Sequence, residues 1–260
     1  MRLPRLSPFR AAATAAASAA ALAASGCAYN ETLGRSQVLL VDEGQLAQAA
    51  ASAWTQALSS QRISNDAALN RRVASVGSRL AQAAGTGGQT WEYRVFVSDT
   101  PNAFVLPGGR VGVNTGLFKV VQNDDQLAAV IGHEIAHSTL RHAAERYSQT
   151  ALAQVGLGVA QGVAGRSSPG LARAVSSFGG AGAQLGYLLP FSRQHELEAD
   201  RVGVDYMARA GFRPSQAVAL WRNMGTQASR SSAPQFLSTH PSDETRIQQL
   251  EAYIRSRGYS

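Results

Sequence analysis

The sequence predicts an α+β domain, mostly helical, with a small sheet or hairpin beside one central helix. Three observations carry that expectation. Apolar residues recur at helical spacing in several separate segments. One run, Trp91 to Val97, alternates and is rich in β-formers. Two further short apolar runs flank the turn signal Pro107-Gly108-Gly109. At 260 residues and 45% hydrophobic content, the chain is long enough for one domain with a substantial core.

The first 26 residues stand apart. Arg2, Arg5 and Arg10 precede an alanine-rich run, Ala11 to Ala24, shorter than the about 20 residues a mature membrane helix needs. This pattern predicts a secretory signal over 1–26. It ends in LAASGC, and Cys27 is the only cysteine. Small residues followed by a sole cysteine resemble a bacterial lipobox, with Ala24 where Leu is usual. Cys27 is therefore expected to carry lipid and become the mature N-terminus. A single cysteine also rules out a disulfide within the chain. The formal charge is +7, and the three signal arginines account for part of it, so +4 remains afterwards. No basic run with interleaved aromatics accompanies that mild charge, which argues against nucleic acid as a partner.

Residues 27–41 read as the lipid attachment and a tether, and 42–260 as the folded domain. Asp42 to Ser60 and Asp66 to Ala84 are expected helices, the second with Leu69, Val73, Val76 and Leu80 on one face. The turn at 107–109 predicts a hairpin within Pro101 to Phe118, with Arg110 to Asn114 as its second strand. Gly112 in that strand would permit close approach by another backbone. Asn123 with Gln126 three residues on forms a capping-box pattern, and Asp124 and Asp125 suit the positive end of a helix running towards Ala144. Residues 151–190 are rich in Ala and Gly and broken by GRSSPG; they are expected to form a helical hairpin that covers the site as a lid. SRQHELEADRVGVDYMARAG predicts a helix closed by Gly211. Pro214 to Met224 and Pro241 to Arg255 are the last expected helices.

The chemistry concentrates in IGHEIAHSTLRH, Ile131 to His142. His133 and His137 are four residues apart and share one helical face, so both imidazoles can reach one zinc at about 2.0–2.1 Å. Glu134 projects about 100° round the helix, too far to ligate beside them but placed to activate a water as general base. His142 lies nine residues from His133, about 180° away on a continuous helix, and is set aside. The expected third ligand is Glu196, in HELEAD. Asp200, one turn later, is placed to accept the outer N–H of a ligating histidine. Glu198 and His195 fall off that face and read as scaffold. His240, in STHPS, can approach the metal from a loop, either stabilising an oxyanion or occupying the open position as a gate. Arg193 and Arg246 are candidate partners for the acids near the site.

GHEIAH followed some 60 residues later by SRQHELEADRVG, together with NAFVLPGG and STHPSDETR, resembles the HtpX-like and CAAX-prenyl-protease-like gluzincins over roughly residues 40–255. Within them the likeness is to the BepA-like and LoiP-like periplasmic lipoproteins. The resemblance implies a mostly helical domain with a small sheet, zinc ligands at His133, His137 and Glu196, and Glu134 as catalytic base. The chain is expected to lack the membrane helices of HtpX and the prenyl proteases. It is also expected to lack the tetratricopeptide domain that BepA-like proteins append.

These readings converge on a zinc endopeptidase with one Zn(2+) per chain, lipid-anchored on the periplasmic face of an outer membrane or else soluble in the periplasm. It would hydrolyse unfolded or misassembled envelope proteins. The substrate is expected to lie extended along Arg110, Val111, Gly112, Val113 and Asn114 by β-augmentation. The rival readings are an assembly factor with a latent zinc site and a binding lipoprotein with a structural zinc. Oligomeric state is not encoded in any feature of the sequence.

Overall fold

The computed structural model describes residues 27–160, 191–230, 235–241 and 244–259. The expected signal over 1–26 and most of the expected lid lie outside these residues. The chain divides into two compact units, Met1–Ala49 with Ala143–Gly186, and Ala50–His142 with Tyr187–Ser260.

In the first unit, β1 (Cys27–Asn30) and β2 (Arg35–Val38) pair as an antiparallel hairpin. A tether was expected here, and polar chemistry explains the difference. Glu145, near the start of α4 (His142–Ala160), is buried and needs donors. Arg35 supplies two, at 2.7 and 2.9 Å, and Gln37 a third at 2.7 Å. The Leu40 N–H donates to Ser148 Oγ at 2.8 Å.

The second unit holds a three-stranded sheet in the order β3 (Glu92–Phe96), β5 (Arg110–Asn114), β4 (Ala103–Leu106). β5 is parallel to β3 and antiparallel to β4. Val95 and Phe96 face opposite sides of the sheet, and both are fully buried, so both faces are covered. On one side, Trp54 of α1 (Glu43–Ser60) meets Phe96 and Phe104 edge-on, at centroid distances of 5.8 and 6.2 Å. Ala50 and Leu106 complete that cluster. Gly112 makes room not for a neighbouring backbone, as expected, but for the ring of Phe104, which any Cβ there would overlap.

The position of β5 overturns one expectation. As the central strand it has both backbone edges occupied, so Arg110 to Asn114 cannot receive an added strand. The outer side of β3 is bonded at its C-terminal end, by Ser64 N to Val95 O and Val97 N to Arg62 O, each 2.7 Å. The other edge of the sheet is β4, with no strand paired beyond it among the described residues. Asn114 N donates to Asn102 O, and the antiparallel alternation then turns Ala103 and Val105 outward.

The helices follow the expected order with adjusted ends. Asp66 caps α2 (Ala67–Ala83), accepting from Ala68 N and Leu69 N. Asn123 caps α3 (Asp124–Thr139) by accepting from Gln126 N at 2.9 Å; Gln126 reaches back to the N–H of Gln122 rather than to the cap residue. α3 ends at Leu140, and Arg141 takes a left-handed φ of 58° before α4 begins, so the helix towards Ala144 is broken. Ser192 caps α5 (Arg193–Arg209), and Gly211 follows it at φ 75°. α6 (Ser215–Arg230) runs beyond Met224, α7 (Gln235–Thr239) is an unexpected short helix, and α8 spans Glu244–Ser256.

The packing of α3 on α5 positions the site. α3 is buried along almost its whole length, and α5 is its main neighbour. Gly132 meets Gly203 where they cross: a Cβ on Gly203 would lie 3.0 Å from His133 N and 3.1 Å from Gly132 C. Two glycines let the backbones approach closely, which brings the histidine face of α3 against the acidic face of α5. Among the described residues, no helix is long and apolar enough to cross a membrane.

Candidate metal centre

His133, His137, Glu196 and His240 are all buried, and each offers one donor atom within 4.8 Å of the others. His133 Nε2 and His137 Nε2 are 3.0 Å apart. The Glu196 carboxylate lies 3.4 Å from the first and 3.3 Å from the second. His240 Nδ1 is 3.0 Å from Glu196 Oε1 and 3.3 Å from His133 Nε2. The i,i+4 pair on α3 and the glutamate on α5 therefore meet as expected, and the loop histidine joins them.

The surrounding charges suit a cation. Burial opposes ionisation of Glu196, yet His240, Arg246 and His133 outweigh it and hold this carboxyl well below the usual carboxylate range. Burial holds His137 well below the ordinary histidine value, so its ring is neutral, as a ligand must be. Burial also works against a charged His133, but Glu196 and Asp200 raise it on balance. For His240, Glu196 and Glu134 outweigh burial and carry the pKa up to about 9.

Asp200 sits where the sequence placed it, 2.9 Å from His133 Nδ1. Arg246 then grips Asp200 through Nε at 2.6 Å and Nη2 at 2.8 Å, and its Nη1 lies 2.6 Å from Glu196 Oε2. Its guanidinium also lies over Trp221, 4.0 Å from the ring centroid. Glu134 stays out of the donor set. Its Oε2 accepts from Val105 N on the outer edge of β4 at 3.3 Å, and its Oε1 is 3.1 Å from His240 Nε2. α7 and the following turn deliver His240, whose N–H donates to Phe236 O at 2.8 Å while its ring stacks on Phe236.

Two residues set aside in the sequence have a place here. With α3 ending at Leu140, the 180° argument against His142 does not apply to its ring. It remains outside the donor set, yet its Nδ1 is 2.9 Å from His137 Nδ1. Its Nε2 is 3.1 Å from Glu198 Oε2, so Glu198 is not a bystander either. The break at Arg141 carries no glycine or proline signal, which is why the pattern alone missed it.

Two imidazoles, a carboxylate and a third imidazole are donors that zinc prefers, and the five separations above, 3.0–3.4 Å, lie near the roughly 3.3–3.4 Å edges of a tetrahedron with 2.0–2.1 Å bonds. The residues fit the metal. HExxH on α3, a glutamate on α5 and, within the HExxH, a buried carboxylate facing a strand edge define a gluzincin-type metallopeptidase domain. The chain belongs to peptidase family M48, whose family model matches residues 67–254. It is 38% identical over 183 residues to the mitochondrial metalloendopeptidase OMA1 of Schizosaccharomyces pombe, covering 70% of this chain and 52% of that protein. It is 33% identical over 188 residues to the beta-barrel assembly-enhancing protease of Escherichia coli, covering 70% of this chain and 38% of that one. The chain thus spans about half the length, or less, of the curated relatives it matches. Zinc is the metal of this family.

Proposed function

We propose that this protein is a zinc-dependent endopeptidase acting on unfolded or misassembled proteins of the bacterial envelope. The observation that carries the reading is the position of Glu134, a buried carboxylate between the donor set and the outer edge of β4. His133, His137 and Glu196 would hold the zinc, which when bound supplies Lewis-acid polarisation of the scissile carbonyl and of a water. Glu134 takes the proton of the attacking water and passes it to the leaving amine. The substrate backbone pairs with Ala103 and Val105 on β4, not with β5. Pairing through backbone groups suits extended chains with little sequence preference. The likeness to a protease named for enhancing β-barrel assembly supports an envelope substrate.

The presence of a fourth donor favours latency. His240 contacts both Glu196 and Glu134, so at rest it would occupy the base and block the water. Cleavage of casein or an unfolded barrel protein by the mature chain tests both points. Activity should disappear with a chelator and return with zinc; cleavage that survives chelation would exclude the metallopeptidase reading. In the same assay His240→Ala should raise the rate. A fall of about 10²-fold or more would instead make His240 an oxyanion donor, and an unchanged rate with unchanged zinc would leave it as scaffold.

The anchoring reading rests on the sequence. Cys27 carries lipid and holds the domain at the periplasmic face of the outer membrane, the alternative being a soluble periplasmic protein. Labelled palmitate should enter the wild type and not Cys27→Ala; label retained in the variant would end this reading.

A further inference from the structure

We propose that His142 and Glu198 are positioning residues that set the tautomer of His137, forming a second support arm unlike the one behind His133. This rests on the reading of His133, His137 and Glu196 as the zinc-holding set. Behind His133 stands a carboxylate in direct contact, Asp200, itself gripped by Arg246. Behind His137 stands a second imidazole, with a carboxylate beyond it. His137 Nδ1 is 2.9 Å from His142 Nδ1, and His142 Nε2 is 3.1 Å from Glu198 Oε2.

The direction of the hydrogen bonds follows from the end of the chain. An ionised carboxylate only accepts, so the hydrogen between His142 and Glu198 belongs to His142 Nε2. In its neutral form His142 then has a bare Nδ1, which accepts the Nδ1–H of His137. That leaves His137 Nε2 with its lone pair, facing His133 Nε2 and Glu196 Oε1. With the opposite polarity, His137 would carry its hydrogen on Nε2 and could not bind a cation. Stacking fixes both ring planes: His142 lies on His195 at 4.5 Å and 21°, and His137 on Phe191 at 3.9 Å and 25°. Gln194 holds the other oxygen of Glu198 from one turn earlier, at 3.0 Å.

The turn at Arg141 makes the relay available. On an unbroken helix His142 would point away from His137. The left-handed φ at Arg141 redirects the chain before His142, whose Nδ1 reaches the outer nitrogen of His137. A residue five positions after the second histidine of HExxH thus serves the site without ligating.

The test uses the mature full chain labelled with 15N-histidine, with ring tautomers read by NMR. The expected result is a hydrogen on Nδ1 of His137 and on Nε2 of His142. In a competition titration against a chelator, Glu198→Gln should bind zinc about 10-fold more weakly, and His142→Phe should approach 100-fold, the span typical of lost support to a ligating histidine. Thermal melting of Glu198→Gln in chelator should match the wild type, which separates positioning from general destabilisation. A hydrogen on Nε2 of His137, or zinc affinities equal to wild type in both variants, would overturn the relay. Those outcomes leave the zinc site standing; a wild type that takes up no zinc would overturn the zinc site and the relay together.

Discussion

Glu134→Gln is expected to abolish peptide hydrolysis while leaving zinc content unchanged. The carboxylate is buried, stands outside the donor set, and faces both the β4 edge and His240. Glutamine keeps the shape and can still accept from Val105 N, so the fold and the metal site should persist. It cannot take a proton from water, and loss of a general base costs typically about 10²–10⁴-fold in rate. Turnover of an unfolded protein, read beside metal analysis of the same preparation, checks it. An unaffected rate would remove Glu134 from the chemistry and favour a structural zinc, which needs no base. Loss of zinc along with activity would instead show that Glu134 holds the site together.

Arg246→Leu should be the most destabilising single change near the centre. Arg246 is buried and neutralises two buried carboxylates, Asp200 through a bidentate pair and Glu196 at 2.6 Å. Removing one partner of a buried pair leaves uncompensated charge and typically costs about 3–5 kcal/mol. That is a large part of the about 5–15 kcal/mol that holds most domains folded. The stacking of the guanidinium on Trp221 would go with it. Chemical denaturation in chelator should show the full loss. Added zinc should recover part of it, because a cation at Glu196 replaces one of the two lost ion pairs and does nothing for Asp200. A variant as stable as wild type in chelator would mean the carboxylates are solvated or protonated, contrary to their depressed pKa values.

The donor set was legible because it is written in two short helical spacings. His133 and His137, then Glu196 and Asp200, each lie four apart, and a helix converts that spacing into a shared face whatever the rest of the fold does. Arg246 was legible only as a cation near acids; nothing in the chain predicts that it bridges Glu196 and Asp200. Strand order was not legible. Alternation identifies β3, β4 and β5, but which strand lies in the middle depends on long-range pairing, so the sequence points the substrate to β5, whereas β5 is central and β4 lies at an edge. The relay through His142 was hidden for a different reason. Helical periodicity was carried across Arg141, a residue with no intrinsic preference for the left-handed conformation it adopts. The N-terminal hairpin was missed because its partner, Glu145, is more than a hundred residues away in sequence.

The central claim is that His133, His137 and Glu196 together hold one zinc. Elemental analysis of purified mature protein, after dialysis against a weak chelator, tests it most directly. The wild type should retain one zinc per chain, and Glu196→Ala should lose most of it while its circular dichroism still shows the helical fold. Equal zinc in the wild type and Glu196→Ala would contradict the account.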